Sequence, residues 1–224
     1  MSEYAIIFDI GGVIATDLHK PLLMEIANDR YPPLERSNIL RAADRPWNRI
    51  KIDSNYSEDR FWEEVIANGH LGESVPELKC LVRKRMRVFR DTVKVAENLR
   101  TQGYRVGILS NHAKPWFEEL CTRFRLYDLF DKEISVVSYA IGVAKPDKKA
   151  YEVLLERLKK NISDFDTKKC IFVDDKIENV EVANSMGVIG IQFDSRIDHI
   201  EVLINYLSKY SIVLEDHNLH ELRT

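Results

Sequence analysis

Apolar runs bounded by polar residues or glycine alternate with amphipathic stretches over much of the chain. Such runs predict buried β-strands, and they occur at residues 5–9, 104–109, 133–137, 169–173 and 188–193. Apolar residues at helical spacing predict helices between the strands, at residues 93–100, 116–124, 147–159, 177–186 and 197–207. This alternation is typical of right-handed crossovers and a parallel sheet. The pattern therefore predicts an α/β fold, with a further short edge strand at residues 212–214.

The segment between the first two strands has a different pattern. Residues 16–89 contain almost no strand-like runs, and their apolar residues recur at helical spacing. Pro32-Pro33 ends the first of these helices, and Ser57 has the position of an N-cap for a later one. We therefore predict a helical insert of three to five helices at 16–89, within an α/β core formed by 1–15 and 90–224.

Composition excludes several classes of function. A net charge of −3 over 224 residues offers no basic footprint for nucleic acid. No apolar run is long enough to span a membrane, and the N-terminal run lacks the basic flank of a signal peptide and is broken by Asp9. The three cysteines are too far apart for a metal or redox motif. We expect a cytoplasmic protein without nucleic-acid or membrane partners; the sequence indicates no oligomeric state.

Polar residues follow the ends of the predicted strands. In chain order they are Asp9, Ser110-Asn111, Lys145 in the loop after the third strand, and Asp174-Asp175. The carboxyl ends of parallel strands lie along one edge of the sheet, where open α/β folds bind ligands. Each residue alone also fits a local role, such as a helix N-cap or a solvated lysine. Their shared edge favours a common site.

The acidic residues at this edge favour a divalent cation. Asp9, Asp174 and Asp175 bring up to three like charges into one pocket, where they repel unless one is protonated or a cation neutralises them. Oxygen ligands suit Mg²⁺, which retains water and accepts a phosphate oxygen. A lysine and two hydrogen-bonding residues at the same edge complete a set that suits a phosphoryl group.

Together these motifs resemble those of the haloacid dehalogenase-like (HAD) hydrolase superfamily. The matching pieces are Phe8-Asp9-Ile10-Gly11-Gly12-Val13, Leu109-Ser110-Asn111, Ala144-Lys145-Pro146-Asp147 and Phe172-Val173-Asp174-Asp175. The resemblance is greatest to helical-cap phosphatases, a subgroup that includes a glucose-1-phosphate phosphatase and the N-terminal phosphatase domain of soluble epoxide hydrolases. It implies a Rossmann-like parallel sheet with helices on both faces and an inserted α-helical cap.

The resemblance also implies a role for each site residue. The implied reaction is Mg²⁺-dependent hydrolysis of a small phosphorylated metabolite, such as a sugar phosphate, through an aspartyl-phosphate on Asp9. The implied metal ligands are Asp9, the Gly11 carbonyl, Asp175 directly and Asp174 indirectly, although the last two are able to exchange roles. The implied phosphoryl site comprises Gly11, Gly12, Ser110, Asn111 and the neutralising Lys145. Asn179 falls where some relatives carry a further acid.

Gly11 departs from the family pattern. Phosphatases of this superfamily place a second Asp two residues after the nucleophile, where it protonates the leaving group and activates water. Loss of such an acid commonly costs about 10²–10⁴-fold in rate. Either Asp17 or His19 replaces it, or the leaving group needs little protonation, as with an anomeric phosphate. Asp17 equally fits an N-cap for the helix that begins near His19.

Two other functions are compatible with the motifs. A metal-independent 2-haloacid dehalogenase also uses an Asp nucleophile, but its relatives usually lack an acidic pair such as Asp174-Asp175. A weakly active or non-catalytic regulatory member would account for the missing acid at Gly11. The intact Asp9 and Lys145 count against that alternative.

Substrate choice depends on the cap. Its aromatic residues form either the cap's own core, which we favour, or the lining of the pocket; they are Trp47, Tyr56, Phe61 and Trp62. His112 either faces the pocket or lies on the following helix. His217 and His220, near the C-terminus, fit surface residues better than a metal pair.

Overall fold

The computed structural model describes residues 4–215, and within them a parallel five-stranded sheet forms the centre of the molecule. Its strands are β1 (Ala5–Phe8), β2 (Arg105–Ser110), β3 (Val136–Val137), β4 (Cys170–Asp174) and β5 (Ile189–Gln192). Their order across the sheet is β3-β2-β1-β4-β5, so β1 is central and pairs with β2 and β4. The strand ends that the sequence marks with polar residues therefore lie side by side.

Helices cover both faces of this sheet and fill the segment between β1 and β2. The helices of the insert are α1 (His19–Arg30), α2 (Pro33–Ala42), α3 (Asp44–Ile50), α4 (Glu58–Gly69) and α5 (Val75–Arg85). The helices of the core are α6 (Arg90–Thr101), α7 (Lys114–Arg123), α8 (Leu126–Leu129), α9 (Ser138–Ile141), α10 (Lys148–Asn161), α11 (Ile177–Ser185) and α12 (Ile200–Ser208). Ser57 caps α4 as predicted, because its hydroxyl accepts a hydrogen bond from the Arg60 N–H at 3.2 Å. The predicted α/β class, parallel sheet and helical insert are confirmed.

The side chains of β1 contribute to two apolar layers. Ile6 and Phe8 belong to a layer shared with α6, α12 and the insert, whereas Ala5 and Ile7 belong to a layer shared with α10. Successive side chains of a strand point to opposite faces. Because β1 is buried on both faces, its sequence is a continuous apolar run. Its polar chemistry is therefore confined to the end of the strand.

The third strand is shorter than predicted. Of residues 133–137, only Val136–Val137 form a strand. The Asp131 carboxylate accepts a hydrogen bond from the Glu133 N–H at 3.0 Å and starts a 3-10 turn over Lys132–Ile134. This local side-chain bond competes with strand pairing.

The predicted edge strand at 212–214 does not form. The backbone N–H and carbonyl of Glu215 bond to the Asn98 side chain of α6, at 3.2 and 3.1 Å. Ile212 and Leu214 are buried against the core. The apolar run therefore reflects packing against a helix and not pairing with a sheet edge. His217 and His220 lie outside the described residues.

The chain passes between core and insert through two adjacent segments. Ala15 pairs with Val88 in an antiparallel bridge, and the Phe89 N–H donates to the Ile14 carbonyl at 2.9 Å. One segment follows β1 and the other precedes α6. The insert therefore joins the core near the polar end of β1. The boundaries of a cap domain at 16–89 stay a prediction.

A buried carboxylate joins the insert to the core. Glu58, the first residue of α4, accepts hydrogen bonds from Trp116 Nε1 of α7 at 2.7 Å and from Trp62 Nε1 at 3.3 Å. Two guanidinium nitrogens of Arg83 in α5 each bond one of its oxygens at 2.7 Å. Burial opposes ionisation of Glu58, but the bonds from Arg83 and the two indoles outweigh burial and lower its pKa. Glu58 therefore holds three helices together.

Replacing Glu58 with Gln should lower the free energy of unfolding by roughly 2–3 kcal/mol, because Arg83 loses a buried partner while remaining partly solvated. Urea denaturation followed by tryptophan fluorescence measures the change. Glu63→Gln, at an exposed position of the same helix, is the matched control and should change stability by less than about 0.5 kcal/mol. Equal stability of the Glu58 variant and the wild type would contradict the anchoring role.

Candidate active site

Asp9 follows β1 directly, at the centre of the polar edge of the sheet. Its backbone N–H donates to the Val173 carbonyl of β4 at 2.8 Å, so the sheet holds it next to the acidic pair that ends β4. Its Oδ1 accepts a hydrogen bond from the Ile10 N–H at 2.7 Å, and the residue is only 4% exposed. Burial raises the pKa of Asp9, and the nearby Lys145 offsets this only in part.

The turn after Asp9 depends on glycine at two positions. Gly12 has a φ of +78°, which favours glycine, and a Cβ there would lie 2.7 Å from Asp175 Oδ2. A Cβ on Gly11 would lie 2.7 Å from Asp17 Oδ1. Both distances are shorter than a real carbon–oxygen contact. The Asp17 carboxylate therefore occupies the space in which a side chain of residue 11 would begin.

Asp17 does not cap the helix that follows it. Helix α1 begins at His19 with Leu18 in the N-cap position, and no side chain caps it. Asp17 Oδ2 instead forms an ion pair with Arg196 Nη1, in the loop after β5. The N-cap interpretation of Asp17 is therefore wrong. Asp17 and Asp9 line the same cavity.

Lys145 reaches the carboxylates from the loop before α10. Its Nζ lies 3.1 Å from Asp9 Oδ2 and 2.5 Å from Asp174 Oδ2. The Asn111 amide nitrogen donates to the Lys145 carbonyl, and its amide oxygen accepts from the Lys145 N–H, both at 2.8 Å. Both ends of the Asn111 side chain are thus engaged in holding the lysine loop. A contact of Asn111 with a phosphoryl oxygen stays a prediction.

The two acids at the end of β4 have different surroundings. Asp174 accepts hydrogen bonds from Lys145 Nζ, from Asn179 Nδ2 at 2.9 Å and from a backbone N–H. Burial opposes its ionisation, but these partners outweigh burial and lower its pKa. Asp175 Oδ2 accepts from Arg196 at 2.8 Å, whereas its Oδ1 is buried and has no hydrogen-bond partner among the described residues. Burial raises the pKa of Asp175.

These residues fit a divalent cation. One carboxylate oxygen from each of Asp9, Asp174 and Asp175 lies within 4.8 Å of the others. Three buried acids at this separation repel, and within residues 4–215 Asp175 Oδ1 has no hydrogen-bond donor to compensate it. Hard oxygen donors suit Mg²⁺. Both oxygens of Asp174 already accept hydrogen bonds, whereas Asp175 Oδ1 accepts none within residues 4–215. This difference favours Asp175 as the direct ligand.

Ser110, the last residue of β2, lies beside the Asp9 carboxylate. It is 1% exposed, and its hydroxyl has no partner of good hydrogen-bonding geometry within residues 4–215. Buried hydroxyls without partners are uncommon, so this one is available to a ligand oxygen. The sheet edge thus brings together the strand-end residues that the sequence marks, and their individual roles stay predictions.

Two cationic residues at the site, Arg196 and Lys176, are not among the site residues predicted from the sequence. Arg196 forms ion pairs with Asp17, Asp175 and Asp194. Lys176 lines the cavity. Burial lowers the pKa of Lys176, but the surrounding carboxylates have the larger effect, so its pKa is raised overall. The polar residues after β5 are the signal that would have pointed to Arg196. Lys176 directly follows the acidic pair.

The aromatic residues of the insert divide between core and cavity. Phe61, Trp62 and Tyr56 are buried, as the core interpretation predicts. Trp47, by contrast, is half-buried and lines the cavity beside Asp9. His112 lines the cavity as well.

The sequence matches the family model for haloacid dehalogenase-like hydrolases over residues 5–187. The chain belongs to this hydrolase family. The sesquiterpene phosphatase astK of Aspergillus oryzae is 26% identical to this HAD-like hydrolase over 191 residues, which cover 84% of this chain and 88% of that protein. Phosphatase MT3486 of Mycobacterium tuberculosis is 27% identical over 228 residues, which cover 96% and 98% of the two chains.

A solved structure shares the fold of this HAD-like hydrolase. HAD family enzyme BT-2542 of Bacteroides thetaiotaomicron, solved as a magnesium complex, aligns with a TM-score of 0.67 at 18% identity, over 89% of this chain and 98% of that one. The resemblance predicted from the motifs and the Rossmann-like fold with its helical insertion are confirmed. None of the helices within residues 4–215 has the length and apolar character needed to cross a bilayer.

Proposed function

We propose that this HAD-like hydrolase is a Mg²⁺-dependent phosphatase that hydrolyses a small phosphate monoester through an aspartyl-phosphate on Asp9. The observation that carries the proposal is the convergence of Asp9, Asp174 and Asp175, with oxygens within 4.8 Å of one another, next to Lys145. Phosphoryl transfer to a carboxylate needs such a nucleophile together with concentrated positive charge. Two relatives named as phosphatases, and a structural relative solved with magnesium, support the proposal. Sugar phosphates are one class of monoester within it.

The proposed cation ligands are Asp9, Asp175 and the Gly11 carbonyl, with Asp174 acting through its bond to Lys145. Bound there, Mg²⁺ supplies positive charge to the phosphoryl oxygens. Lys145 supplies a second positive charge next to Asp9 Oδ2. The buried Ser110 hydroxyl, beside the Asp9 carboxylate, donates to a phosphoryl oxygen.

Asp17 is the proposed proton carrier. An Asp9 oxygen attacks phosphorus, and the bond from phosphorus to the alcohol oxygen breaks. That oxygen takes a proton from the protonated form of Asp17, in which Oδ1, beside Gly11, carries the proton while Oδ2 contacts Arg196. Water then attacks the phosphorus of the aspartyl-phosphate and gives a proton to Asp17. The bond from phosphorus to Asp9 breaks, so that inorganic phosphate is released and Asp9 is restored. The position of Asp17 supports this role, because its Oδ1 fills the space beside Gly11 where other family phosphatases carry their second Asp.

Replacing Asp17 with Asn should lower kcat/KM for alkyl phosphates by about 10²-fold, because an alkoxide leaves poorly without a proton. For p-nitrophenyl phosphate, whose leaving group departs unprotonated, the loss should stay below about 10-fold. The ratio kcat/KM is the relevant quantity because it reports the first phosphoryl transfer and not the later attack of water. An equal loss on both esters would show that Asp17 acts in positioning and not in proton transfer.

Release of inorganic phosphate from a panel of phosphate monoesters, with Mg²⁺ and with EDTA, tests the proposal. We expect turnover with Mg²⁺, a fall of at least about 10²-fold with EDTA, and recovery when Mg²⁺ is restored. Halide release from 2-haloacids in EDTA would instead support a dehalogenase. Calorimetric Mg²⁺ binding without turnover of any ester would support a non-catalytic protein.

A further inference from the structure

The cavity beside Asp9 has a charged part and an aromatic part. The charged part contains Asp9, Asp17, Lys145 and Lys176. The aromatic part, here called the aromatic wall, contains His19, Trp47 and Trp116. The cavity volume is about 70 Å³, far below the several hundred Å³ of a pocket for a large ligand. This enclosed volume suits a phosphoryl group with a small leaving group.

The three rings of the aromatic wall lie nearly parallel. The His19 and Trp47 ring centroids are 4.3 Å apart with an interplanar angle of 30°, and the Trp47 and Trp116 planes differ by only 11°. Phe61 meets both His19 and Trp116 edge-on, at 5.8 and 5.2 Å. Because these rings pack against one another, a flat, apolar ligand group can stack only on a face that they leave open. Trp47 is the half-buried ring of the three and is the one able to offer such a face.

The wall has a fixed side and a more open side. Trp116 is 1% exposed, and its Nε1 is held by the buried Glu58 carboxylate at 2.7 Å. Trp47 is only half-buried, and the contacts described for its indole are with rings. A leaving group that extends from the phosphoryl site therefore meets Trp47 as the ring most free to adjust.

The wall carries one unpaired polar atom. His19 is 7% exposed, and its Nε2 is buried without a hydrogen-bond partner among residues 4–215. An unpaired buried nitrogen is unfavourable in the free protein, and a ligand oxygen would remove that penalty. Burial lowers the pKa of His19 to about 3, so the imidazole is neutral at physiological pH and adds no charge to the wall.

We propose that the aromatic wall binds the leaving group, and that the substrate is the phosphate ester of a small, uncharged, unsaturated or aromatic alcohol. The flat part of the alcohol stacks on Trp47, and His19 Nε2 forms a hydrogen bond with an oxygen of the ester. This inference rests on the proposed phosphatase function and adds the class of substrate to it.

The same wall disfavours sugars and charged leaving groups. A sugar brings several hydroxyl groups, and each needs a hydrogen-bond partner when buried. In the wall, His19 Nε2 is the buried side-chain polar atom that lacks a partner within the described residues. The wall residues themselves carry no charge, so a charged leaving group held against the rings would have only the charged part of the cavity, with Asp17 and Lys176, to offset its desolvation.

Kinetics on matched esters test the inference. In Mg²⁺, kcat/KM for benzyl phosphate and dimethylallyl phosphate should exceed that for glycerol 3-phosphate and glucose 1-phosphate by at least about 10-fold. Dimethylallyl phosphate and glycerol 3-phosphate are of similar size and differ mainly in polarity. A higher kcat/KM for glucose 1-phosphate than for benzyl phosphate would overturn the proposal.

Three variants test whether the aromatic wall produces this preference. Trp47→Ala should raise KM for benzyl phosphate by about 10-fold but change KM for glycerol 3-phosphate by less than about 2-fold. Trp47→Phe keeps an aromatic ring, so its KM for benzyl phosphate should be close to that of the wild type. His19→Phe keeps a ring in the stack but removes the nitrogen. It should lower kcat/KM by about 10-fold while raising the thermal midpoint, because no polar atom is then left unpaired. Loss of both stability and activity in His19→Phe would indicate a purely structural residue.

Binding of a non-hydrolysable ligand separates this proposal from the phosphatase proposal. Benzylphosphonate should bind the Mg²⁺-loaded protein at least about 10-fold more tightly than methylphosphonate, with quenching of tryptophan fluorescence, and Trp47→Ala should remove the difference. If no ester is hydrolysed but this difference is found, the phosphatase function fails and the aromatic wall stands. Equal binding of the two phosphonates would overturn the wall even if esters are hydrolysed.

Discussion

Replacing Asp9 with Asn should reduce phosphate release by at least about 10⁴-fold, because the amide cannot form the covalent intermediate. The substitution is nearly isosteric, and the amide oxygen can still accept the hydrogen bond that the Ile10 N–H donates to Asp9 Oδ1 at 2.7 Å. The fold should therefore survive. Because burial raises the pKa of Asp9, removing its charge should leave the metal-free thermal midpoint unchanged or higher.

Two measurements make the Asp9 result specific to a nucleophile. Mass spectrometry of acid-quenched wild type should detect a phosphorylated peptide that contains Asp9, and the variant should lack it. Asp91→Asn, an exposed carboxylate in the first turn of α6, is the matched control and should retain wild-type activity. Phosphate release by Asp9→Asn within about 10-fold of wild type would refute the nucleophilic role.

Replacing Lys145 with Met should lower kcat by about 10³-fold and, in EDTA at pH 8, lower the free energy of unfolding by about 3–5 kcal/mol. Asp9 and Asp174 then face each other without the ammonium that now lies 3.1 and 2.5 Å from their oxygens. Phosphate release and urea denaturation measure the two effects. Lys149→Met, at an exposed position of α10, should change neither.

The stability loss in Lys145→Met should depend on pH. In the wild type, burial raises the pKa of Asp9 to about 7, so the folded state binds more protons than the unfolded chain. The contribution of Asp9 to stability therefore falls as pH rises from about 4 through about 7. Without Lys145, which lowers the pKa of Asp9 and Asp174, this fall extends to higher pH. The variant should thus be closer to wild type at pH 5 than at pH 8, and a pH-independent difference would contradict the ion-pair explanation.

Much of the fold could be predicted because buried parallel strands leave a clear sequence signal. The apolar run of β1 has polar residues only at its end, since both of its faces are covered. The same reasoning is wrong at 212–214, where Ile212 and Leu214 are buried but no strand forms, and the next residue, Glu215, bonds to the Asn98 side chain of α6. An apolar run indicates burial, and whether the buried segment pairs depends on its neighbours in space.

The sequence by itself determined which groups meet at the strand ends, and only the tertiary structure decided which contacts each of them makes there. Parallel strands have one polarity, so Asp9, Ser110 and Asp174-Asp175 had to share an edge. Two contacts at the site join segments that are far apart in the chain: the ion pair between Asp17 and Arg196, and the stacking of Trp47 on His19. The tertiary structure also leaves Asp175 Oδ1 without a partner within residues 4–215. These contacts depend on how the insert and the last loop pack over the sheet edge, and residue spacing carries no record of that packing.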